Sequence, residues 1–419
     1  MNFDTARTLF WPYLYNMNAS LSYSLLNAAA KKFGTPLYVY HAEKIEQQYQ
    51  NLLAQFESTQ TNFFYACKAL TNVHILKVIK EMGCNIDCSS INEVKLALHV
   101  GFLPHHILYT SNSVDFDEIS TAVELGVNVN IDSLSNLEKF GQKFGGTKSI
   151  GVRIRPDVMA GGNLKISTGH IKSKFGIPLT QLDALKSLQE KYKIHIRTLH
   201  IHTGSEIKDV AVFMKSAEVF DTLLPHFPSV EVLDFGGGFK VPYAPGEQGT
   251  DMALLGAEVN KVMKQLSEKF GRNFTAWFEP GKYMVSEAGF FIAKVNVLKT
   301  SGEVIFAGLN TGLNHLIRPM FYDAYHHIDN ISSPENPMKQ YAVVGNICET
   351  DTFAWDRSIP EIAEGDLLVF YNAGAYGYEM ASNYNARFKP AQVLFQHGEP
   401  KLISRADQFE DLLSLQVPL

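Results

Sequence analysis

Residues 62–68 read NFFYACK, an apolar run that carries the chain into a single lysine, Lys68. A short apolar stretch rich in aromatic residues reads as a buried strand. Working outward, similar runs recur at 85–90, 107–111, 127–133, 149–156, 198–204, 230–238 and 275–281. Between most of them lie segments of helical periodicity, at 72–82, 92–100, 115–125, 135–144, 180–192, 209–225 and 251–270. Eight strands separated by helices make an α/β chain and predict a (β/α)8 barrel over residues 42–285. A doubly wound open sheet has the same alternation, so the pattern alone leaves both open.

After residue 286 the texture changes. FFIAKVNVLKT, EVIFAG, QYAVVGNIC, DLLVFYNAG, AQVLFQ and PKLIS read as short strands with little helix between them. They predict a C-terminal, mainly β domain. The earlier strand LYVYH, at 37–41, is suited to the same sheet, which makes that domain discontinuous: 1–41 and 286–419. The first 30 residues carry no pattern that assigns them a structure.

Bulk properties narrow the function. The chain has 419 residues, 46% hydrophobic and 19% charged, which is ordinary for a globular protein too long for one core. Its net charge of -6 and lack of a dense Lys/Arg run give no support to a nucleic-acid or membrane-surface role. No stretch of 18 apolar residues is present, and the start, MNFDTARTLFWPYLYN, lacks the basic and apolar regions of a secretory signal. Cys67, Cys84, Cys88 and Cys348 are spaced for neither a zinc ribbon nor a disulfide framework, so a reducing cytoplasm is expected.

Barrel enzymes carry reacting groups at the C-terminal ends of their strands. The strand ends here hold Lys68, Asp87, Ser111, Asp132, Arg153 and Arg155, His202 with Ser205, Gly236–Gly238, and Glu279. A lysine shielded from water at such a place has a depressed pKa and can form a Schiff base; on position alone, a surface lysine snorkelling off its strand is the commoner case. The triplet Gly236-Gly237-Gly238 lets backbone N–H groups approach a phosphate, or simply makes a tight turn. It matches neither GxGxxG nor the P-loop pattern. His200 and His202 share one strand face, which also raises a metal hydrolase, although a third and fourth ligand are not evident. Glu279, in FEPGK, needs a cationic partner if it is buried. In the β domain, Arg318 and Tyr322, Cys348, Glu349 and Asp351, and the segment 374–378 stand out, each as readily structural as functional when taken singly.

Together the segments FYACKAL, IDCSSINE, RPDVMAGGNLKISTGHIKSKFGI, HIHTGSEI, LDFGGGFKVPY, FEPGK, LNHLIRPMFYDAYHHI, GNICETDTF and GAYGYEMASNYN occur in an order that resembles the pyridoxal phosphate (PLP) dependent ornithine/diaminopimelate/arginine decarboxylase family, of alanine-racemase-like fold. The resemblance runs from FGTPLYVYH to FKPAQVLF, nearly the whole chain. The Arg-Pro-x-x-Tyr segment, the Cys-Glu-Thr-Asp motif and MASNYN look like the diaminopimelate branch rather than the ornithine branch. The resemblance implies that Lys68 carries the cofactor and that His202 stacks on its ring. It further implies that Glu279 pairs with the ring nitrogen and that Ser205, Gly237, Gly238 and the turn from Glu279 through Gly281 to Lys282 hold phosphate and ring. Tyr376 would close on the phosphate, and Asp87, Glu93 and Arg153 would support the cofactor.

Arg318, Tyr322 and Glu349, with Tyr376 and Lys282, would bind a small amino-acid substrate. Cys348 would act near the reacting carbon from the partner subunit of a homodimer, and no metal is implied. The implied reaction is decarboxylation of meso-diaminopimelate to L-lysine, the last step of lysine biosynthesis. Sister decarboxylases acting on carboxynorspermidine, ornithine, lysine or arginine, and an inactive regulatory homologue, are the alternatives. One departure stands out: the family has EPGR where this chain has EPGK, and Lys282 lacks the planar fork of an arginine.

Overall fold

The computed structural model describes residues 21–56, 60–156 and 173–417. The chain divides into two compact units. One comprises Glu46–Val241 and Gln248–Met284; the other takes the described residues up to Ile45, Pro242–Glu247, and Val285 onward.

Strand β1 (Leu37–His41) belongs to the second unit. The first unit holds β2 (Thr61–Ala66), β3 (Asn85–Cys88), β4 (Ile107–Thr110), β5 (Asn128–Ile131), β6 (Ser149–Arg155), the two-residue β7 (Ile177–Pro178), β8 (His195–Ile201), β9 (Val232–Asp234) and β10 (Thr275–Phe278). Their hydrogen-bonded order is β5-β4-β3-β2-β10-β9-β8-β6, and β6 pairs back with β5. Every pairing in this ring is parallel. Closure removes the open-sheet alternative, and the unit is a (β/α)8 barrel.

Local chemistry explains why the chain alternates. Asn72, Ser90, Asp115, Ser133, Asp209 and Asp251 each accept a backbone N–H at the start of the following helix. Such caps satisfy donors that a helix leaves unpaired, and they fix where each helix begins. Phe63, Phe235 and Phe278 pack face to face in the core, with ring centres 5.8 Å apart for Phe63–Phe278 and 5.2 Å for Phe235–Phe278. All eight expected strands are present, but several end early. The run at 230–238 is strand only to Asp234, and that at 275–281 only to Phe278. Glycine and proline take over there, and Gly236 and Gly238 adopt φ of 67° and 104°. Helices Tyr23–Phe33 and Ala42–Gln55 lie outside the segments of expected helical periodicity, as do the short helices Lys282–Val285, Arg318–Tyr322 and Phe409–Leu413. Most of the motif at 155–177 lies outside the described residues, which resume at 173.

The second unit is a nine-stranded sheet. It contains β1 with β11 (Gly289–Ser301), β12 (Val304–Leu309), β13 (Ile328–Asn330), β14 (Met338–Val344), β15 (Thr352–Pro360), β16 (Leu367–Phe370), β17 (Ala391–Gln396) and β18 (Glu399–Ser404). As expected, LYVYH joins this sheet, antiparallel to β11 and parallel to β17. Its residues Leu37–Tyr40 are fully buried. Strand β15 was missed because Asp356-Arg357-Ser358 interrupts its apolar pattern; β13 is only three residues long.

Gly256 lies inside the helix Met252–Phe270, where alanine ordinarily gains about 1 kcal/mol over glycine. A Cβ at this position would stand 2.1 Å from the backbone oxygen of Gln55. We therefore expect Gly256→Ala to destabilise the barrel by roughly 1–3 kcal/mol, the penalty of overpacking outweighing propensity. Urea titration followed by circular dichroism reads the sign.

Candidate active site at the mouth of the barrel

Lys68 sits in a single 3-10 turn, Cys67–Ala69, directly after β2. Ala66 and Asp87 are register partners, so the lysine emerges beside the carboxylate. Its Nζ lies 3.2 Å from Asp87 Oδ2. Of the two readings that position left open, the solvent-reaching lysine is the one seen: the Lys68 side chain is 43% exposed, whereas that of Asp87 is fully buried. The lysine turn stands at the rim, where solvent reaches it, and the desolvated member of the pair is the acid. Burial raises the Asp87 pKa, and Lys68 pulls it part of the way back.

A buried polar layer occupies the same barrel end. Arg153, on β6, is buried; desolvation lowers its pKa while Glu279, Asp132, Asp87 and Asp234 hold the charge in place. Its guanidinium carbon lies 4.6 Å from the centre of the Phe175 ring, and Nη2 has no hydrogen-bond partner among the described residues. Glu279 Oε1 is 3.5 Å from His200 Nε2 and accepts from Thr110 Oγ1 at 3.5 Å. Asn130 Nδ2 donates to Thr110 Oγ1 at 3.1 Å and to Asp234 Oδ2 at 3.5 Å. Burial and the carboxylates Asp234 and Asp87 push Glu279 well above the usual range; burial first, opposed by hydrogen bonds, takes Asp234 up to about 7. His200 is driven the other way, toward its neutral form, by burial and by Arg153.

His202 follows β8. The Gly237 N–H donates to its Nδ1 at 3.2 Å, so that nitrogen carries no proton. Burial with Arg153 and Lys68 lowers its pKa in the same sense, leaving a neutral ring protonated on Nε2. The glycine triplet is required by close approach: a Cβ on Gly237 would meet Glu279 O at 2.2 Å, and one on Gly238 would meet Gly204 O at 2.1 Å. The triplet thus packs directly on the Glu279 strand end and the His202–Ser205 turn. Gly281 likewise lies over Ala66, whose N–H donates to Pro280 O at 3.1 Å. Lys282 is ion-paired with Glu206. Asp132 and Ser111 are buried at their strand ends; Arg155 donates to Ser173 O at 3.2 Å. Glu93 closes the helix Ile91–Val100, accepting from Ser89 N while its own N–H donates to Ser90 Oγ.

Within the β unit, Arg318 opens a short helix, Arg318–Tyr322, and is buried. Its guanidinium carbon is 5.4 Å from the Tyr243 ring centre and 5.8 Å from that of Tyr322. Cys348 and Glu349 are exposed on the loop after β14. Tyr384 lies 3.5 Å from Cys348 Sγ and donates to Glu349 Oε1 at 2.7 Å. Tyr376 has φ of 55°, a left-handed conformation uncommon for an aromatic residue.

Residues 42–286 match the family model for the pyridoxal binding domain of pyridoxal-dependent decarboxylases. The chain is 36% identical to the diaminopimelate decarboxylase of Methanothermobacter thermautotrophicus, over 92% of each chain. The chain belongs to the pyridoxal-dependent decarboxylases, in their diaminopimelate branch. A crystal structure of diaminopimelate decarboxylase superposes with a TM-score of 0.89 at 30% identity, covering 96% of this chain and 98% of that one. A second, from M. jannaschii in complex with L-lysine, gives 0.86 at 29% identity over 94% of each.

The barrel fits the family's cofactor. The turn Gly236–Gly238 brings bare backbone to this barrel end, packed against His202, Glu279 and Gly204 where no side chain could stand. Glu279 is a carboxyl that burial disposes to hold a proton, suited to a ring nitrogen. Lys68 offers an amine at the same end. The motif reading missed Asp234, Thr110 and Asn130, which back Glu279. Only the strand-end position of Thr110 and Asp234 could have signalled them. It also found no third metal donor, whereas the structure brings His200, Asp234 and Glu279 to within 4.8 Å of one another.

A carboxyl whose folded pKa exceeds its unfolded value keeps a proton that the unfolded chain has lost. Its contribution to stability is therefore lost as pH rises from the unfolded value near 4 to Asp234's folded value of about 7. Asp234→Asn should remove this slope. In protein stripped of cofactor, we expect the variant to gain melting temperature on wild type as pH is raised across that window and the difference to vanish at its acid end. Scanning fluorimetry across pH checks it; parallel curves for the two proteins would contradict it.

Proposed function

We propose that this chain decarboxylates meso-diaminopimelate to L-lysine and CO2, the last step of lysine biosynthesis, with Lys68 carrying pyridoxal phosphate. The supporting observation is that Lys68 stands at the barrel end that also gathers Asp87, Arg153, His202, the glycine turn and Glu279. Relatives named diaminopimelate decarboxylase over nearly the full length support the substrate, as does L-lysine in the M. jannaschii crystal.

When bound, the cofactor supplies a ring that accepts the electron pair left at Cα as CO2 departs. The chain's own residues do the rest. Glu279 holds a proton for the ring nitrogen, and Thr110 and Asp234 hold Glu279. His202 presents a neutral ring to stack. Ser205, Gly237, Gly238, Gly281 and Tyr376 retain the phosphate, with Asp87 and Arg153 fixing the charge around it. The substrate's second amino-acid end requires a cation for its carboxylate and an anion for its ammonium. Arg318 with Tyr322 and Lys282 supplies the first, and Glu349 the second. A substrate lacking that end would leave these groups unpaired, which gives specificity. Cys348 delivers the proton to Cα.

The site is completed in a homodimer, Cys348 and Glu349 serving the partner's Lys68. The four cysteines are all free, which suits a reducing cytoplasm.

We expect purified protein to release CO2 and L-lysine from meso-diaminopimelate, and Arg318→Ala to lose on the order of 10²-fold or more in kcat/KM, the cost of an unpaired buried charge. Preference for ornithine or arginine in a substrate panel would sink the assignment. Mixing inactive Lys68→Ala and Cys348→Ala proteins should restore about a quarter of wild-type activity, because half the dimers then hold one intact site. No recovery after subunit exchange would refute the shared site.

A further inference from the structure

Cys348 is the one exposed cysteine of the four in the chain, the other three being buried. Its loop is rigid. Gly345 N donates to Asp351 O at 2.8 Å, Ile347 N to Asp351 Oδ2 at 3.2 Å, and Asn346 N to Thr311 O at 3.0 Å. A second segment meets it. Asn385, in the 3-10 turn Tyr384–Ala386, has φ of 57° and ψ of 25°, a left-handed conformation that asparagine tolerates better than most residues. Arg387 clasps the loop from the same side, donating to Asn346 O at 3.4 Å.

The Asn385 carboxamide engages Cys348 twice. Its Oδ1 accepts the Cys348 N–H at 3.0 Å, and its Nδ2 donates to Sγ at 3.1 Å. The first bond fixes the orientation of the amide and so aims the second. Tyr384 is placed differently. Its hydroxyl lies 2.7 Å from Glu349 Oε1 and 3.5 Å from Cys348 Sγ, and it has one proton to give. The shorter contact, to a carboxylate, takes that proton. Asn385 is then the standing donor to sulfur, and Tyr384 is a donor that becomes available to sulfur only when Glu349 is otherwise engaged.

We infer that Asn385 and Tyr384 are positioning residues for Cys348, Asn385 fixing the sulfur and Tyr384 coupling it to Glu349. Tyr384 and Asn385 together hold the Cys348 thiol below its ordinary range against the Glu349 charge, and of the two only the Asn385 donor is not shared with that carboxylate. The groups facing sulfur thus comprise one standing donor, Asn385, one hydroxyl committed to Glu349, and that carboxylate, with Asp351 turned into its own loop. The inference deepens the reading of Cys348 and Glu349 as site residues. An ammonium bound at Glu349 draws the carboxylate away from Tyr384, frees its proton for sulfur, and so ties recognition of the far end of the substrate to the state of the acid that serves Cα.

The test is the pH profile of Cys348 alkylation by iodoacetamide in the cofactor-loaded protein, followed by mass spectrometry of the 348 peptide. This readout does not depend on decarboxylation, so it fails separately from the substrate assignment. Asn385→Asp keeps the backbone conformation and replaces the donor by an acceptor. It should move the midpoint up and slow alkylation near neutral pH on the order of tenfold. Asn385→Gly, which keeps the left-handed turn and deletes the amide, should shift it in the same direction. Tyr384→Phe should also shift it up, and Glu349→Gln down. Melting curves identify any variant that fails to fold, and the remaining variants carry the test. An Asn385→Asp profile that superimposes on wild type overturns the fixing role. Glu349→Gln and Tyr384→Phe profiles that both superimpose overturn the coupling.

Discussion

One buried arrangement governs this barrel: Arg153 among Asp87, Asp132, Asp234 and Glu279. Four carboxyls face the guanidinium, and Lys68 adds a second cation at Asp87. Four full negative charges against two positive would leave two unbalanced in a desolvated layer, which is costly. The layer relieves the imbalance by retaining protons. Burial raises all four carboxyls, Glu279 and Asp234 most evidently. A proton is therefore held at Glu279 under conditions where an exposed glutamate has lost it.

The sequence made much of this legible because barrel geometry turns strand ends into neighbours. Lys68, Asp87, Arg153, His202, Gly236–Gly238 and Glu279 are spread over some two hundred residues of chain, yet each follows or ends a strand of one closed parallel ring. Period and turn chemistry place these residues at strand ends, and closure of the ring makes the strand ends neighbours. They could not predict how deep each group would sit. NFFYACK left a shielded and a surface lysine both open, and the 3-10 turn after β2 lifts Lys68 to the rim and leaves Asp87 below. Nor could they reveal Asn385, whose role depends on a left-handed turn that brings it to a loop 37 residues away in sequence.

Lys282 shows how one departure is accommodated. Where the family has an arginine fork, this chain has an ammonium, paired with Glu206 on the loop after His202. Glu206 itself has φ of 62°, so the pair links the left-handed turn beside Ser205 to the EPGK turn. An ammonium is a point donor that needs no planar partner, and a single carboxylate suffices to orient it. The positive charge that the family places here is kept, but its direction is set from the His202 loop.

The same physics bears on the three donors His200, Asp234 and Glu279, which also suit a metal ion in their spacing. Coordination would require both carboxyls to ionise. Their burial resists this, and Arg153 already answers the negative charge they would develop. An aromatic nitrogen asks much less: a proton passing between one carboxyl and one ring atom leaves the net charge of the layer unchanged. The protons this layer retains weigh against an ion on these three donors, and Thr110 donates to the Glu279 carboxyl instead.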